Sequence, residues 1–287
     1  MKVLVTGHRG ILGRALMTEL PRPGVEAVGV DVVEMNATDA LAVEGVVGRE
    51  KPSVIINCAA YTDVDGCEDS REACFAVNAA GAENVAAAAA KVGARIFQIS
   101  TDYVFDGGAQ TPYTEDAEPR PLSAYGESKL EGERRVAASV EDYVIVRTAW
   151  LFGAGGANFV SKILARAKSG EPLAVVEDQR GSPTYAGHLA KALAELLDVE
   201  FRGVVHVAGG GVASWYDVAA EVLRLTKMDV ALKGISAAEL DLPARRPAYS
   251  ALDTSLYANL TGDAMPVWRE GLRAYLQEIG ELNAGAR

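Results

Sequence analysis

The sequence has little cysteine, histidine or basic charge, and it has no long hydrophobic run. Its three cysteines, Cys58, Cys67 and Cys74, are odd in number and lack Cys-x-x-Cys spacing. Neither a disulfide framework nor a zinc ribbon is indicated, and plain thiols suit a cytoplasmic protein. His8, His188 and His206 stand far apart without metal-ligand spacing and read as structural, so no metal site is assigned. Lys and Arg number 28 against 39 Asp and Glu, a net charge of −11. Nucleic acid and anionic membranes are thereby disfavoured as partners, because both require a basic footprint. No apolar run approaches the roughly 18 to 20 residues that span a bilayer. The opening MKVLVTGHRG also lacks the apolar stretch of about 7 to 15 residues found in a secretory signal, and it reads as a first strand in a cytoplasmic chain. The acidity sets one condition: any anionic ligand must be held by local geometry and not by the overall field.

What is present is an ordinary globular composition, 49% hydrophobic and 23% charged over 287 residues, enough for one large domain or two joined ones. Short apolar runs at Lys2–Gly7, Val25–Asp31, Val54–Ala60, Ala94–Ser100 and Tyr143–Thr148 alternate with helical patterns at Ile11–Leu20, Ser70–Val92 and Ala124–Ala138. This rhythm predicts an α/β fold, a Rossmann-type doubly wound parallel sheet, which Val204–Val207 would extend. After Trp150 the rhythm changes. Residues 1–153 and 183–208 are expected to form the dinucleotide-binding domain. Residues 154–182 and 209–287 are expected to form a smaller, sequence-interleaved α/β lobe for a second ligand.

The first strand runs into Thr6-Gly7-His8-Arg9-Gly10-Ile11-Leu12-Gly13 and then a helix. Glycines at this spacing give a tight turn, close backbone approach to a pyrophosphate and close helix–strand packing, while the helix N-terminus supplies free N–H groups. Asp31 ends the second strand 18 positions after Gly13, near the distance of about 20 expected of a carboxylate that binds an adenosine ribose. Val32 and Val33 offer no guanidinium for a 2′-phosphate, which favours NADH and leaves NADPH as the alternative. A solvated strand-end aspartate is the plainer reading of Asp31.

Tyr125 and Lys129 fall at i and i+4 of a helical pattern, on one face. Reduction of a carbonyl by hydride needs a proton for the developing alkoxide, and an ammonium beside a phenol favours its ionisation. The pair alone could be an ordinary amphipathic spacing. Its company gives it weight: Ser100, Thr101, Asp102 and Tyr103 follow an apolar strand and lie at the sheet edge where open α/β folds bind ligands.

Four motifs in order, Thr6–Gly13, Asn57–Ala60, Ser100–Gly107 and Tyr125–Lys129, resemble those of extended short-chain dehydrogenase/reductases. More particularly, STDYVFDG, PYTEDAEPRPLSAYGESKLEGE, RTAWLFG, DQRGSPTY, HVAGGGVASWYDVA and RRPAYSALDTS resemble segments of the dTDP-4-dehydrorhamnose reductase family, over nearly the whole chain. The resemblance implies reduction of the C4 keto group of a dTDP-4-dehydro-6-deoxy sugar. Thr101 would hydrogen-bond the carbonyl oxygen, Tyr125 would protonate it, and Lys129 would bind the nicotinamide ribose and tune the tyrosine. Val64, Asp102, Tyr103 and Trp150 would join Thr101 and Tyr125 against the sugar nucleotide. Gly7, Arg9, Gly10, Ile11, Leu12, Gly13, Asp31, Cys58, Ala59 and Ala60 would contact the cofactor with Tyr125 and Lys129. Asn78 would support the lysine. Arg245 and Arg246 are the candidates for the substrate diphosphate. Some family members carry magnesium between subunits through acidic residues, a site left unassigned in this chain, and a homodimer is compatible with the resemblance. A reductase or epimerase of another nucleotide sugar, or a non-catalytic NAD(P)-binding regulatory subunit, are the competing functions.

Overall fold

The computed structural model describes residues 1–282. The apolar runs form strands whose alternate residues serve two cores. The chain proceeds through β1 (Lys2–Thr6), α1 (Ile11–Glu19), β2 (Glu26–Val30), α2 (Ala40–Glu50) and β3 (Val54–Asn57). Next come α3 (Gly66–Asp69), α4 (Arg71–Phe75), a π-helical stretch Ala76–Gly81, α5 (Ala82–Val92), β4 (Arg95–Thr101), α6 (Ala124–Ser139) and β5 (Tyr143–Thr148). β1 to β5 join β10 (Gly203–His206) in a six-stranded sheet ordered β10-β5-β4-β3-β1-β2, parallel at every pairing.

Val3 and Val5 of β1 face a core shared with Leu12 and Leu16 of α1, while Leu4 faces the opposite core with Val43 and Val47 of α2 and Val85 of α5. Burial on both faces is the reason these strands read as continuous apolar runs. The strand order reverses between β1 and β3, and the crevice beyond their C-terminal ends is the switch point at which such sheets bind ligands.

The stretch Ser70–Val92, expected as one helix, is broken. Ser70 has φ −121° and ψ 48° and stands between α3 and α4. Residues 76–81 then widen into a π-helix, where one extra residue enters the turn. The cause is tertiary. Asn78 in this stretch reaches both the Tyr61 backbone and the Ser128 hydroxyl of α6, bonds that no local propensity encodes.

The second half adds β6 (Leu151–Phe152), α7 (Phe159–Lys168), β7 (Leu173–Val176), β8 (Arg180–Gly181), β9 (Thr184–Tyr185), α8 (Ala186–Leu196) and β10 (Gly203–His206). It ends with β11 (Ala213–Ser214), α9 (Trp215–Thr226), β12 (Leu232–Ile235), α10 (Ser255–Thr261) and α11 (Trp268–Glu278). β10 extends the sheet beside β5, as expected, and α8 packs against α1 through Leu189 and Leu193. A separate core gathers Val160 and Leu164 of α7, Val218 and Val222 of α9, and Leu272 and Leu276 of α11 around β7. β7 pairs in parallel with β12. Tyr257 of α10 and Met265 return to the core of the large sheet. Among the described residues no helix is long and apolar enough to cross a membrane.

Candidate active site

At the end of β1, Gly7 adopts φ +63°, and a Cβ there would stand 3.0 Å from Ala59 N and the Cys58 carbonyl carbon. Only glycine permits the turn and this approach of the β1 and β3 loops. A Cβ on Gly13 would fall 2.3 Å from Gly7 O, so the third glycine lets α1 close against the turn. α1 begins at Gly10 without a side-chain cap. Its first N–H groups are therefore available to a phosphate, which meets the condition set by the acidic composition.

A cavity of about 750 Å³ opens over this turn. Gly7, Gly10, Ile11, Leu12, Gly13, Asp31, Cys58, Ala59 and Ala60 line one part of it, and Thr101, Asp102, Tyr125, Lys129 and Trp150 line the other. The structure thus brings together most of the residues singled out from sequence. Burial pushes the Cys58 thiol up to about 12, so it is a neutral wall residue at ordinary pH.

Beside Asp31 the structure adds a group that Val32 and Val33 do not supply. Val32 and Val33 are exposed and uncharged, yet a guanidinium is present: Arg9 ion-pairs with Glu34, and its backbone N–H donates to Asp31 Oδ2 at 3.0 Å. The Arg9 side chain comes from the glycine loop, 22 positions away in sequence, and only the fold sets it near the end of β2.

The reactive cluster is held by α6. Ser123 caps this helix by accepting from Gly126 N, which sets Tyr125 in its first turn and Lys129 one turn on. Thr101 Oγ1 accepts from Tyr103 N at 3.2 Å and lies 3.1 Å from Asp102 Oδ1. Burial drives the Tyr125 phenol above its ordinary range, Thr101 opposes this, and Asp102 and Tyr103 reinforce it. Burial also brings Lys129 down to about 8 against the pull of Glu133. Lys129 Nζ donates to Ile99 O at 2.6 Å. Burial, and not Lys129, dominates the setting of the Tyr125 phenol in this structure. A phenol that stays protonated is the form a proton donor requires.

Asp102 is 2% exposed and its carboxyl is pushed up to about 7 by burial. Beneath α6, Glu133 receives Arg147 through two hydrogen bonds of 2.9 and 2.7 Å and the Ser100 hydroxyl at 2.5 Å, all buried. This pair fastens the face of α6 that carries Lys129 to β4 and β5.

Asn78 is neither a helix-surface residue nor a wall of the cavity. It accepts from Tyr61 N at 2.8 Å and donates to Ser128 Oγ at 2.9 Å, bracing the loop after β3 against α6. Val64 is half-buried in the turn before α3, outside the cavity lining. Tyr103 meets Tyr125 edge-on at 5.7 Å. Arg246, expected to be available for a diphosphate, is bound to Asp65 through two hydrogen bonds of 2.7 and 3.1 Å, and Arg245 is exposed beside it.

Trp150, at φ +47°, stacks flat on Trp215 with ring centroids 3.5 Å apart. A non-glycine residue held in the left-handed region at a cavity wall marks a conformation fixed by its surroundings. Trp215 and Phe159 line a second cavity of about 750 Å³, together with Arg245 and Arg246. Trp215 and Phe159 were not singled out from sequence. The segment SWYDVA contained the signal, an aromatic pair opening an amphipathic helix, but which ring faces a cavity depends on the Trp150 stack. Among the described residues no group of three or more His, Cys, Asp or Glu could hold a metal ion.

A glycine turn at the switch point, a strand-end aspartate and a Tyr–Lys pair facing a strand-end threonine define a Rossmann-type oxidoreductase of the extended short-chain class. A family model, the RmlD substrate binding domain, matches residues 1–281, and the chain belongs to this family, the dTDP-4-dehydrorhamnose reductases. A crystal structure of a dTDP-4-dehydrorhamnose reductase from Clostridium acetobutylicum superposes with a TM-score of 0.94 at 44% identity, over 97% of this chain and 99% of that one. The enzyme of that name from Bacillus anthracis, solved in complex with NADP, gives a TM-score of 0.94 at 38% identity, over 96% and 99%. The spore coat polysaccharide biosynthesis protein SpsK of Bacillus subtilis is 38% identical over 277 residues, 96% of this chain and 97% of that protein.

Proposed function

We propose that this protein reduces the C4 keto group of a dTDP-4-dehydro-6-deoxy sugar with NAD(P)H, and that dTDP-4-dehydro-L-rhamnose, giving dTDP-L-rhamnose, is its substrate. The observation that carries this reading is the convergence of Thr101, Tyr125 and Lys129 in the cavity that also holds the glycine turn. The residues fit a dinucleotide: a turn that any Cβ would fill and an uncapped helix start suit a diphosphate, and Asp31 suits a ribose. When bound, the nicotinamide supplies the hydride.

The chain's own residues do the rest. Thr101 donates to the carbonyl oxygen and polarises it. Tyr125 gives its phenolic proton to the developing alkoxide, and its raised pKa keeps that proton in place at neutral pH. Lys129 holds the nicotinamide ribose. The second cavity, with Trp215 and Phe159 for a flat base and the exposed Arg245 for phosphate, suits the thymidine diphosphate portion. This supports the division into a dinucleotide domain (1–153 and 183–208) and a nucleotide-sugar lobe (154–182 and 209–287), amended so that α10 stays with the sheet.

Asp31 favours NADH by accepting from the ribose hydroxyls. Arg9, released from Glu34, is the group that would accommodate the 2′-phosphate of NADPH. The deciding assay follows loss of NADH or NADPH absorbance with enzymatically generated dTDP-4-dehydro-L-rhamnose. Stoichiometric oxidation with formation of the 6-deoxy sugar is expected. Conversion of the sugar without net cofactor consumption would identify an epimerase instead.

A further inference from the structure

We propose that Asp102 works as a neutral carboxylic acid that donates to Thr101 Oγ1, so that the Thr101 hydrogen is left for the carbonyl oxygen of the substrate. The inference rests on the proposed keto reduction, in which Thr101 meets that oxygen. The argument is one of hydrogen-bond counting. A hydroxyl has one hydrogen and two acceptor sites. Thr101 Oγ1 already accepts from the Tyr103 amide at 3.2 Å, and its other partners are Asp102 Oδ1 at 3.1 Å and the Tyr125 phenol. If Asp102 is a carboxylate it can only accept, and the single Thr101 hydrogen is drawn to it and away from the cavity. If Asp102 is protonated it donates, both acceptor sites of Thr101 are filled, and the Thr101 hydrogen is released toward the Tyr125 phenol and the carbonyl oxygen that Tyr125 meets in the cavity. One proton on a neighbouring residue thus decides whether the threonine can polarise a carbonyl.

The surroundings favour the protonated form. Asp102 lines the cavity but is almost entirely buried, and its Oδ2 has no hydrogen-bond partner. An unpaired anionic oxygen in such a place is costly, whereas an acid there is not. The groups facing it are neutral at ordinary pH: the hydroxyl of Ser250, itself buried, and the phenols of Tyr103 and Tyr125, both held above their ordinary range by burial. The nearby cations are engaged elsewhere, Lys129 with Ile99 O and Arg246 with Asp65. The carboxyl accordingly stands at about 7. Asp102 acts through Thr101 and is a positioning residue.

Its signature is a pH profile. Activity is present while Asp102 is protonated and is lost as pH rises through about 7, before the loss expected from Lys129 at about 8. Asp102→Asn keeps a donor toward Thr101 at every pH and cannot ionise. The descending limb of kcat/KM should therefore move up by about one pH unit, to the value of Lys129. Asp102→Ala, which frees the Thr101 hydrogen by removing the acceptor, should move it in the same direction and serves if the Asn variant folds poorly. A limb unchanged in both variants overturns the proposal. Independently of any substrate, the infrared difference between wild type and Asp102→Asn at about pH 6 should show a carboxylic-acid band that vanishes on titration through about 7. Absence of that band also overturns the proposal. A wild-type protein that shows the band yet reduces no dTDP-4-dehydro sugar would overturn the proposed function and leave the state of Asp102 established.

Discussion

At the scale of single residues, chemistry and position are divided. In the proposed reduction Tyr125 is the proton donor, buried as a phenol within reach of Thr101. Tyr125→Phe should lower kcat at least about 100-fold, the lower end for a positioned general acid, while cofactor affinity measured by fluorescence titration changes little. Near-normal turnover would remove Tyr125 from the mechanism. Arg9 carries a different expectation. Its guanidinium pairs with Glu34 while its backbone N–H donates to Asp31, so Arg9→Ala should reduce kcat/KM for NADPH by about tenfold, the worth of one charged hydrogen bond, and leave NADH nearly unaffected. Equal losses with both cofactors would assign Arg9 to the loop's structure and not to phosphate recognition. The Tyr–Lys spacing and the glycines were legible in sequence because local periodicity encodes them. Arg9 was placed among the cofactor residues, but its meeting with Asp31 was not, since that contact joins β1 and β2 loops far apart along the chain.

Among the elements, α6 carries the most function. It brings Tyr125 and Lys129 to the cavity on one face and buries Glu133 against Arg147 of β5 on the next turn. Both partners are only 4% exposed at their side chains, so neither charge can be left alone without large cost. Arg147→Met should destabilise the protein by about 3 to 5 kcal/mol in urea unfolding, and adding Glu133→Gln should recover much of that loss, because an unpaired buried charge is worse than no charge. If the single and double variants are equally unstable, the pair contributes packing and not charge neutralisation. The broken helical region before α5 shows the limit of reading elements from sequence. Ala-rich composition predicts continuous helix from residue 70 to 92, and the π-helical turn arises from Asn78 bonding to Tyr61 and Ser128 across the interior. A propensity scale contains no term for such a bond.

For the whole molecule, two buried groups titrate in opposite senses. His206 is pushed down to about 4 by burial and by the nearby Arg147, while its Nδ1 lies 3.0 Å from Tyr113 O. The unfolded chain takes up this proton below about 6.5, the folded one only below about 4, so the stability His206 contributes is present above 6.5 and lost as pH falls toward 4. Asp102 is raised to about 7 from an unfolded value near 3.9, so its contribution is present at low pH and lost as pH rises through 7. Each is worth roughly 3 to 4 kcal/mol when fully developed, and over the shared window they oppose one another. Between about pH 4.5 and 6.5, Asp102→Asn should lose more stability on acidification than His206→Gln does, as measured by urea unfolding. Indistinguishable slopes would show that these two groups do not govern the pH response. Other acid-sensitive contacts, such as Asp65 held low by Arg246, are common to both variants and cancel in the comparison.

The sequence by itself determined the parallel sheet, the glycine turn, the strand-end aspartate and the Tyr–Lys pair, because each is written in short-range periodicity or in residues that only one backbone conformation accepts. Tertiary structure alone decided how charge is distributed around them. It set Arg9 beside Asp31, committed Arg246 to Asp65, turned Lys129 toward Ile99, and buried Asp102 deeply enough to keep its proton. Proton affinity depends on what surrounds a group within a few ångströms, and those neighbours come from strands and loops that are remote along the chain.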